Sequence, residues 1–264
     1  MQRPAGPAGD YSDATDLFAK GNLKRCIEFS ESLATSTPPT AYTDRARVLR
    51  VVIFSGQVKA FKELSEAYSK GWEKSKVPSA RTDFGFQRQN NLEYGGEAAL
   101  NLQLAASQLT KGGDLPKGLT LEAPYPTAEG PTVLTQLSRV VEGGGIDSGA
   151  QDALAVDALR KGIDDTLGEI VGGGRAAARN GMKAGPVMLD NYKFAIFLAQ
   201  QLEIAAGMFD KKHSYDPEKL KTLCGTATDV TKVALTTLKD KPDKDKEKEV
   251  KKLQDEIKAT LKTA

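Results

Sequence analysis

LFAKGNLKRCIEFSESLATSTP, residues 17–38, reads as the end of one helix, a turn and a complete second helix. Upstream of it, Ala14, Leu17 and Phe18 form the apolar stripe of a helix running from about Tyr11 to Lys20. Asp10 and Ser12 are short acceptors suited to capping its orphan amides. Gly21 breaks this helix and Asn22 restarts the chain. Leu23, Cys26, Ile27, Phe29, Ser30 and Leu33 then follow close to the i, i+3, i+4, i+7 spacing of an amphipathic helix. Pro38-Pro39 end the unit, because proline lacks the amide that a continuing helix needs.

The same layout recurs one step later. Ala46, Val48, Leu49, Val52, Ile53 and Phe54 predict a helix that is apolar over a wide face, as an internal helix of a stack should be. Gly56 predicts a second turn, after which Val58, Phe61, Leu64, Ala67 and Tyr68 return to helical spacing, closed by Gly71-Trp72. This repeating unit resembles the tetratricopeptide repeat, a helical hairpin of about 34 residues. In the first copy Ala14 takes the small helix-contact place and Leu17 the large apolar one. Gly21 takes the turn, Cys26 the small packing place of the second helix and Pro38 the closing proline. The sequence departs from the family pattern where Cys26 and Leu33 replace alanines and Ser30 stands at an aromatic place. The second copy keeps Gly56 but has Phe61 at the small place and Glu73 at the proline place. In that family the first helix of each pair lines a concave binding groove. The resemblance therefore implies a groove bearing Tyr11, Thr15, Arg47 and Arg50. Arg47 and Arg50 are three apart, on one helix face, where they suit a carboxylate clamp.

Further along, residues 82–110 predict either a third pair or one long helix interrupted at Gly95-Gly96. Residues 111–131, KGGDLPKGLTLEAPYPTAEGP, are punctuated by glycine and proline and read as a linker or an ordered surface loop. Beyond them helices are expected near 132–142, 151–171 and 187–209. Asp216-Pro217-Glu218 is a well-formed helix start, and Val250, Leu253, Ile257 and Leu261 mark a last helix. No segment alternates with period two over a strand length. The expectation is an all-α chain: a flexible tether over 1–10, helical hairpins over 11–110, the loop or linker over 111–131, and a C-terminal helical bundle over 132–264.

Composition narrows the function classes. The chain has 264 residues and a net charge of +2, so no whole-molecule field draws it to nucleic acid or an anionic membrane. Aromatic residues are only 6%, which leaves a core of Leu, Ala, Val and Ile suited to stacked helices. No apolar run reaches the roughly 18 residues of a membrane span. Cys26 and Cys224 lack metal-binding spacing, fall on apolar stripes and behave there as small hydrophobes, or else form a disulfide in an oxidising compartment. The triplets Gly143-Gly144-Gly145 and Gly172-Gly173-Gly174 lack the GK[ST] of a phosphate loop and read as helix ends. Asp164-Asp165 point about 100° apart on a helix and do not converge, and His213 beside two lysines reads as an exposed loop residue.

These features point to a non-catalytic protein–protein interaction or scaffold protein with no cofactor and no metal, its partner-binding residues being Tyr11, Thr15, Arg47, Arg50 and Trp72. Trp72 enters as a partner anchor, since tryptophan concentrates interface energy; local packing at a helix end is the competing role. Two other readings stand beside this one: a cell-envelope lipoprotein or assembly component tethered by residues 1–10, and a small helical enzyme with a pocket under the 111–131 loop. Either a cytoplasmic site or, with a leader removed, an envelope one accords with the sequence.

Overall fold

Gly21 turns the chain where its position predicts, with a φ of +72° that favours glycine. In the computed structural model, which describes residues 5–126, 148–239 and 242–264, it joins α1 (Pro7–Ala19) to α2 (Leu23–Ala34). The Asn22 side chain caps α2 by accepting from the Arg25 amide. Helix α1 starts earlier than the sequence implies, at a proline, and neither Asp10 nor Ser12 caps it. Helix α2 is finished by Ala34, before the prolines are reached.

At Gly56 the structure overturns the predicted turn. Helix α3 (Thr43–Lys74) runs unbroken through it for 32 residues, and α4 (Pro78–Leu109), also 32 residues, runs unbroken through Gly95-Gly96. A glycine inside a helix costs only about 1 kcal/mol relative to alanine, so tertiary contacts override it. Here they do. Gly56 lies against the Ile163 backbone, Gly95 against Met208 and Phe61, and Gly96 against the Phe209 ring. These glycines make room for neighbours; they do not bend the chain. Each of α3 and α4 is about as long as a whole repeat of the resembling family. The turn expected at Gly56 is therefore not made, whereas Gly21 does join α1 to α2.

The remaining elements are α5 (Ser148–Val171), α6 (Gly174–Ala184), α7 (Asn191–Ala206), a short 3-10 turn (Gly207–Phe209), α8 (Pro217–Thr237) and α9 (Lys244–Leu261). The fold is all-α, with nine α-helices among the described residues. Two two-residue strands, β1 (Thr120–Leu121) and β2 (Val187–Met188), pair antiparallel with Thr120 opposite Met188. Gly172, Gly173 and Gly174, all at positive φ, form the α5–α6 turn, as expected of a helix end. Asp216 caps α8, accepting from the Lys219 amide at 3.1 Å. The helix expected over 132–142 and the triplet Gly143-Gly144-Gly145 lie outside the described residues.

Antiparallel α3 and α4 form the spine. Helix α2 packs on α3 and α1 packs on α2, α5 crosses α3, α7 and α8 pack against each other and against α4, and α9 packs on α7 and α8. Residues 111–126 do not behave as a linker. Leu115, Leu119, Leu121, Ala123 and Tyr125 are buried, and a single apolar cluster joins Phe18, Leu49, Leu102, Leu119, Leu198 and Val230. The strap is tied to several elements. The Leu119 carbonyl accepts from the Leu189 amide at 2.9 Å, the Glu122 carbonyl from the Tyr11 hydroxyl at 2.7 Å, and Asp164 from the Tyr125 hydroxyl at 3.0 Å. One apolar cluster thus takes in residues from both sides of 111–126. Full burial of a leucine such as Leu121 contributes about 2 kcal/mol, enough to hold a loop without regular structure.

Candidate functional site

A broad concavity opens where the α1–α2 turn meets the crossing of α3, α4 and α5. Its volume is about 980 Å³. Phe18 and Leu23 enter from the first hairpin, Phe54 and Phe61 from α3, Tyr94 from α4 and Leu159 from α5. The Phe61 and Tyr94 rings meet with centroids 5.6 Å apart. Gly95 permits this arrangement, because a Cβ there would stand 3.2 Å from the Phe61 Cβ. Pro126, near the end of the strap, borders the opening. Lys20, Lys24, Glu28 and Glu97 supply charges of both signs around the apolar floor, together with Arg160, which pairs with Asp157 at 3.4 Å. Tyr94 is 56% exposed and Val156, also in the lining, 53% exposed, so apolar surface is offered to solvent at the mouth.

None of the five partner-binding residues expected from the sequence lines this cleft. Tyr11 is buried, with its hydroxyl on the Glu122 carbonyl, and burial reinforced by the Glu122 charge raises its pKa far above the ordinary phenol value. Thr15 is buried and its hydroxyl donates to Ser12 within the same helix. The two arginines form no clamp. Arg47 donates from Nε to the Ala34 carbonyl at 2.9 Å and pairs with Asp44, closing the C-terminal end of α2. Arg50 is only 5% exposed, donates to the Ile27 carbonyl at 3.1 Å and stacks over Phe54. Burial pulls its pKa below the ordinary guanidinium value, against the opposing charges of Glu31 and Cys26. Both tie α2 to α3 through these bonds. Trp72 alone of the five stands in solvent, at 45% exposure. Arg50→Met is accordingly expected to lower stability by about 1–3 kcal/mol, because the Ile27 carbonyl loses its donor. Equilibrium urea unfolding would measure this. A neutral result would mean that the α2–α3 contact does not depend on that bond.

The carboxylates Asp164 and Asp165 diverge as predicted, but neither is a plain solvated charge. Asp164 accepts from Tyr125, and Asp165 accepts from both Nε and a terminal nitrogen of Arg175 and from Lys161, which also reaches Glu63. This network joins α3, α5 and α6. Burial alone would raise Asp165, but the bonds from Arg175 and Lys161 outweigh it and hold its carboxyl below the usual range. At Asp164 burial wins and the pKa is raised despite the Tyr125 bond. A depressed carboxylate contributes stability above its unfolded pKa of about 3.9, and that contribution is lost as pH falls through the folded value. Asp165→Asn is therefore expected to be less stable than wild type near neutrality by about 1 kcal/mol, after allowance for solvent screening. The gap should close below about pH 4. Denaturant melts across the acid range test this; a gap that persists in acid would assign the loss to packing.

His213 is half-buried rather than exposed. Its Nδ1 meets Asp210 at 2.8 Å in the turn before α8. Cys26 and Cys224 are free, buried thiols. Burial pushes Cys26 up to about 12, partly opposed by Arg50, and burial with the Glu203 charge pushes Cys224 up to about 11. Both are inert where a reactive thiol needs a depressed value. Among the described residues, groups of His, Cys, Asp and Glu able to hold a metal are absent, and no helix is long and apolar enough to cross a membrane.

Phe61, Tyr94 and Val156, which line this cleft, are not among the partner-binding residues expected from the sequence. Their signal was faint: an aromatic beside paired glycines in α4, and a valine on the solvent side of α5. Comparison with protein-family models, curated proteins and solved structures finds no match to this chain.

Proposed function

We propose that this protein is a non-catalytic binding module that receives apolar side chains of a protein partner in the cleft between the first helical hairpin, α3, α4 and α5. The observation that carries this reading is the cleft itself: about 980 Å³, floored by Phe18, Phe54, Phe61 and Leu159, with apolar residues exposed at its mouth. Contiguous exposed apolar surface with a polar rim is characteristic of a recognition groove. The mixed charge of the rim favours an amphipathic segment, whose apolar anchors recur at i, i+4 while its flanks meet Lys20, Lys24, Glu28 and Glu97. Catalytic sites gather groups with displaced pKa values. Among the described residues the displaced groups, including Tyr11, Cys26, Asp164 and Asp165, stand outside the cleft lining. A scaffold role fits the same surface. The partner-binding set then becomes Phe61, Tyr94 and Val156 in place of Tyr11, Thr15, Arg47 and Arg50.

The test is crosslinked affinity capture from the native cells with wild type and with a Tyr94→Glu, Val156→Glu double variant. Both positions are exposed, so the fold should persist, as circular dichroism would verify. A dominant partner whose recovery falls about tenfold or more in the double variant is the expected result. A partner retained at wild-type level would overturn the cleft assignment. If the folded protein instead carries a lipophilic compound into native mass spectrometry and captures no protein, the partner reading gives way to a small-ligand one.

A further inference from the structure

The hairpin between α3 and α4 ends in residues 75–77, and it carries an exposed surface remote in kind from the cleft. Inside the tip, Tyr68 and Phe84 pair at 6.3 Å between centroids, and Gly71 lies against the Phe84 ring. These fill the space between the helices, so Trp72 is left on the outside at 45% exposure and Val77 at 47%. The turn is ordered, with the Ser75 hydroxyl accepting from the Val77 amide. Arg81 lies over the Trp72 ring, 4.7 Å from its centroid. From Lys74 to Arg81, KSKVPSAR, the tip carries three cations and no acid, while Glu73 and Asp83 flank it. Lys74, Lys76 and Arg81 are exposed and make no ion pair among the described residues. Some other surface lysines are neutralised within their own helices, as Lys232 is by Asp229 and Lys258 by Asp255.

We propose that this tip docks on an anionic lipid bilayer, with Trp72 and Val77 entering the headgroup layer and Lys74, Lys76 and Arg81 meeting lipid phosphates. Tryptophan with one apolar and one polar aspect settles at a membrane interface, and unpaired cations beside it add attraction to anionic headgroups within a Debye length. An aliphatic valine at a convex end favours a bilayer over nucleic acid, which would ask for a groove and stacking faces.

The chain contains a single tryptophan, so its emission reports this tip directly. The full-length protein would be mixed with phosphatidylcholine vesicles, with and without about 30% phosphatidylglycerol, and followed by Trp72 emission and by sedimentation. A blue shift and co-sedimentation with the anionic vesicles only, reversed by high salt, is the expected result. Lys74→Gln and Lys76→Gln are each expected to weaken binding about fivefold, and Val77→Ser to reduce the blue shift. Circular dichroism would verify that these exposed substitutions leave the fold intact. Unchanged emission with anionic vesicles overturns the proposal, as does equal binding to pure phosphatidylcholine. A shift produced by single-stranded DNA but not by vesicles overturns it in favour of a nucleic-acid contact.

Discussion

Gly162→Ala is expected to destabilise the protein by about 3 kcal/mol or more, lowering its melting temperature by roughly 10 °C. Gly162 of α5 crosses α3 at Gly56, and a Cβ on it would stand 2.1 Å from the Gly56 carbonyl oxygen and 3.0 Å from its carbon. The obstruction is backbone, which cannot rotate away as the end of a flexible side chain can. The helices would have to separate, opening the packing around Ile163 and Leu167, both buried at this crossing. Gly225→Ala in α8 is the matched control. It is also a helical glycine, but its Cβ would meet nothing within 4 Å. There alanine should raise stability by about 0.5–1 kcal/mol through helix propensity. Urea unfolding of the two variants separates a close helix crossing from a mere propensity effect. Equal shifts in both would show that α3 and α5 do not cross so closely.

Phe54→Ala is expected to cost about 3–5 kcal/mol, the range for truncating a buried aromatic. Phe54 is 2% exposed, lies beneath the Arg50 guanidinium and forms part of the cleft floor. Its loss would leave a void, strip Arg50 of its stacking surface and loosen the α2–α3 contact that the Ile27 carbonyl completes. Phe54→Leu should cost about 1 kcal/mol, since it keeps most of the volume. Under the proposed function, partner capture should fall in Phe54→Ala even under conditions where the variant remains folded. A cost below about 1 kcal/mol would mean that the cleft floor repacks freely.

The two arginines illustrate how far spacing alone carries. Spacing places Arg47 and Arg50 on one face of a helix, and that much the structure bears out. Spacing cannot say what lies opposite that face. Helix α2 does, and its carbonyls at Ala34 and Ile27 take both guanidinium groups. The long charged side chains that looked like a recognition surface therefore became internal ties. Trp72 went the other way: local packing was the competing role, but Tyr68 and Phe84 took the inner places and left it outside. The low net charge of the chain likewise concealed the local excess from Lys74 to Arg81, because acids elsewhere balance it in the sum.

By itself the sequence determined the helical character of this chain, the hairpin at Gly21, the start of α8 at Asp216-Pro217 and the burial of both cysteines. Each rests on local physics: apolar residues at helical spacing, a glycine at positive φ, an aspartate at a cap, a thiol on an apolar stripe. Only the tertiary structure decided that Gly56 and Gly95-Gly96 are places of close approach rather than turns. The same glycine serves either purpose, and a neighbour 100 residues away in the chain selects between them. It also decided that residues 111–126 are a strap across the core, because their stability comes from Leu119, Leu121 and Tyr125 finding distant partners. The cleft belongs to the same class. Its lining is drawn from five separate stretches of chain, and no one of them carries its outline.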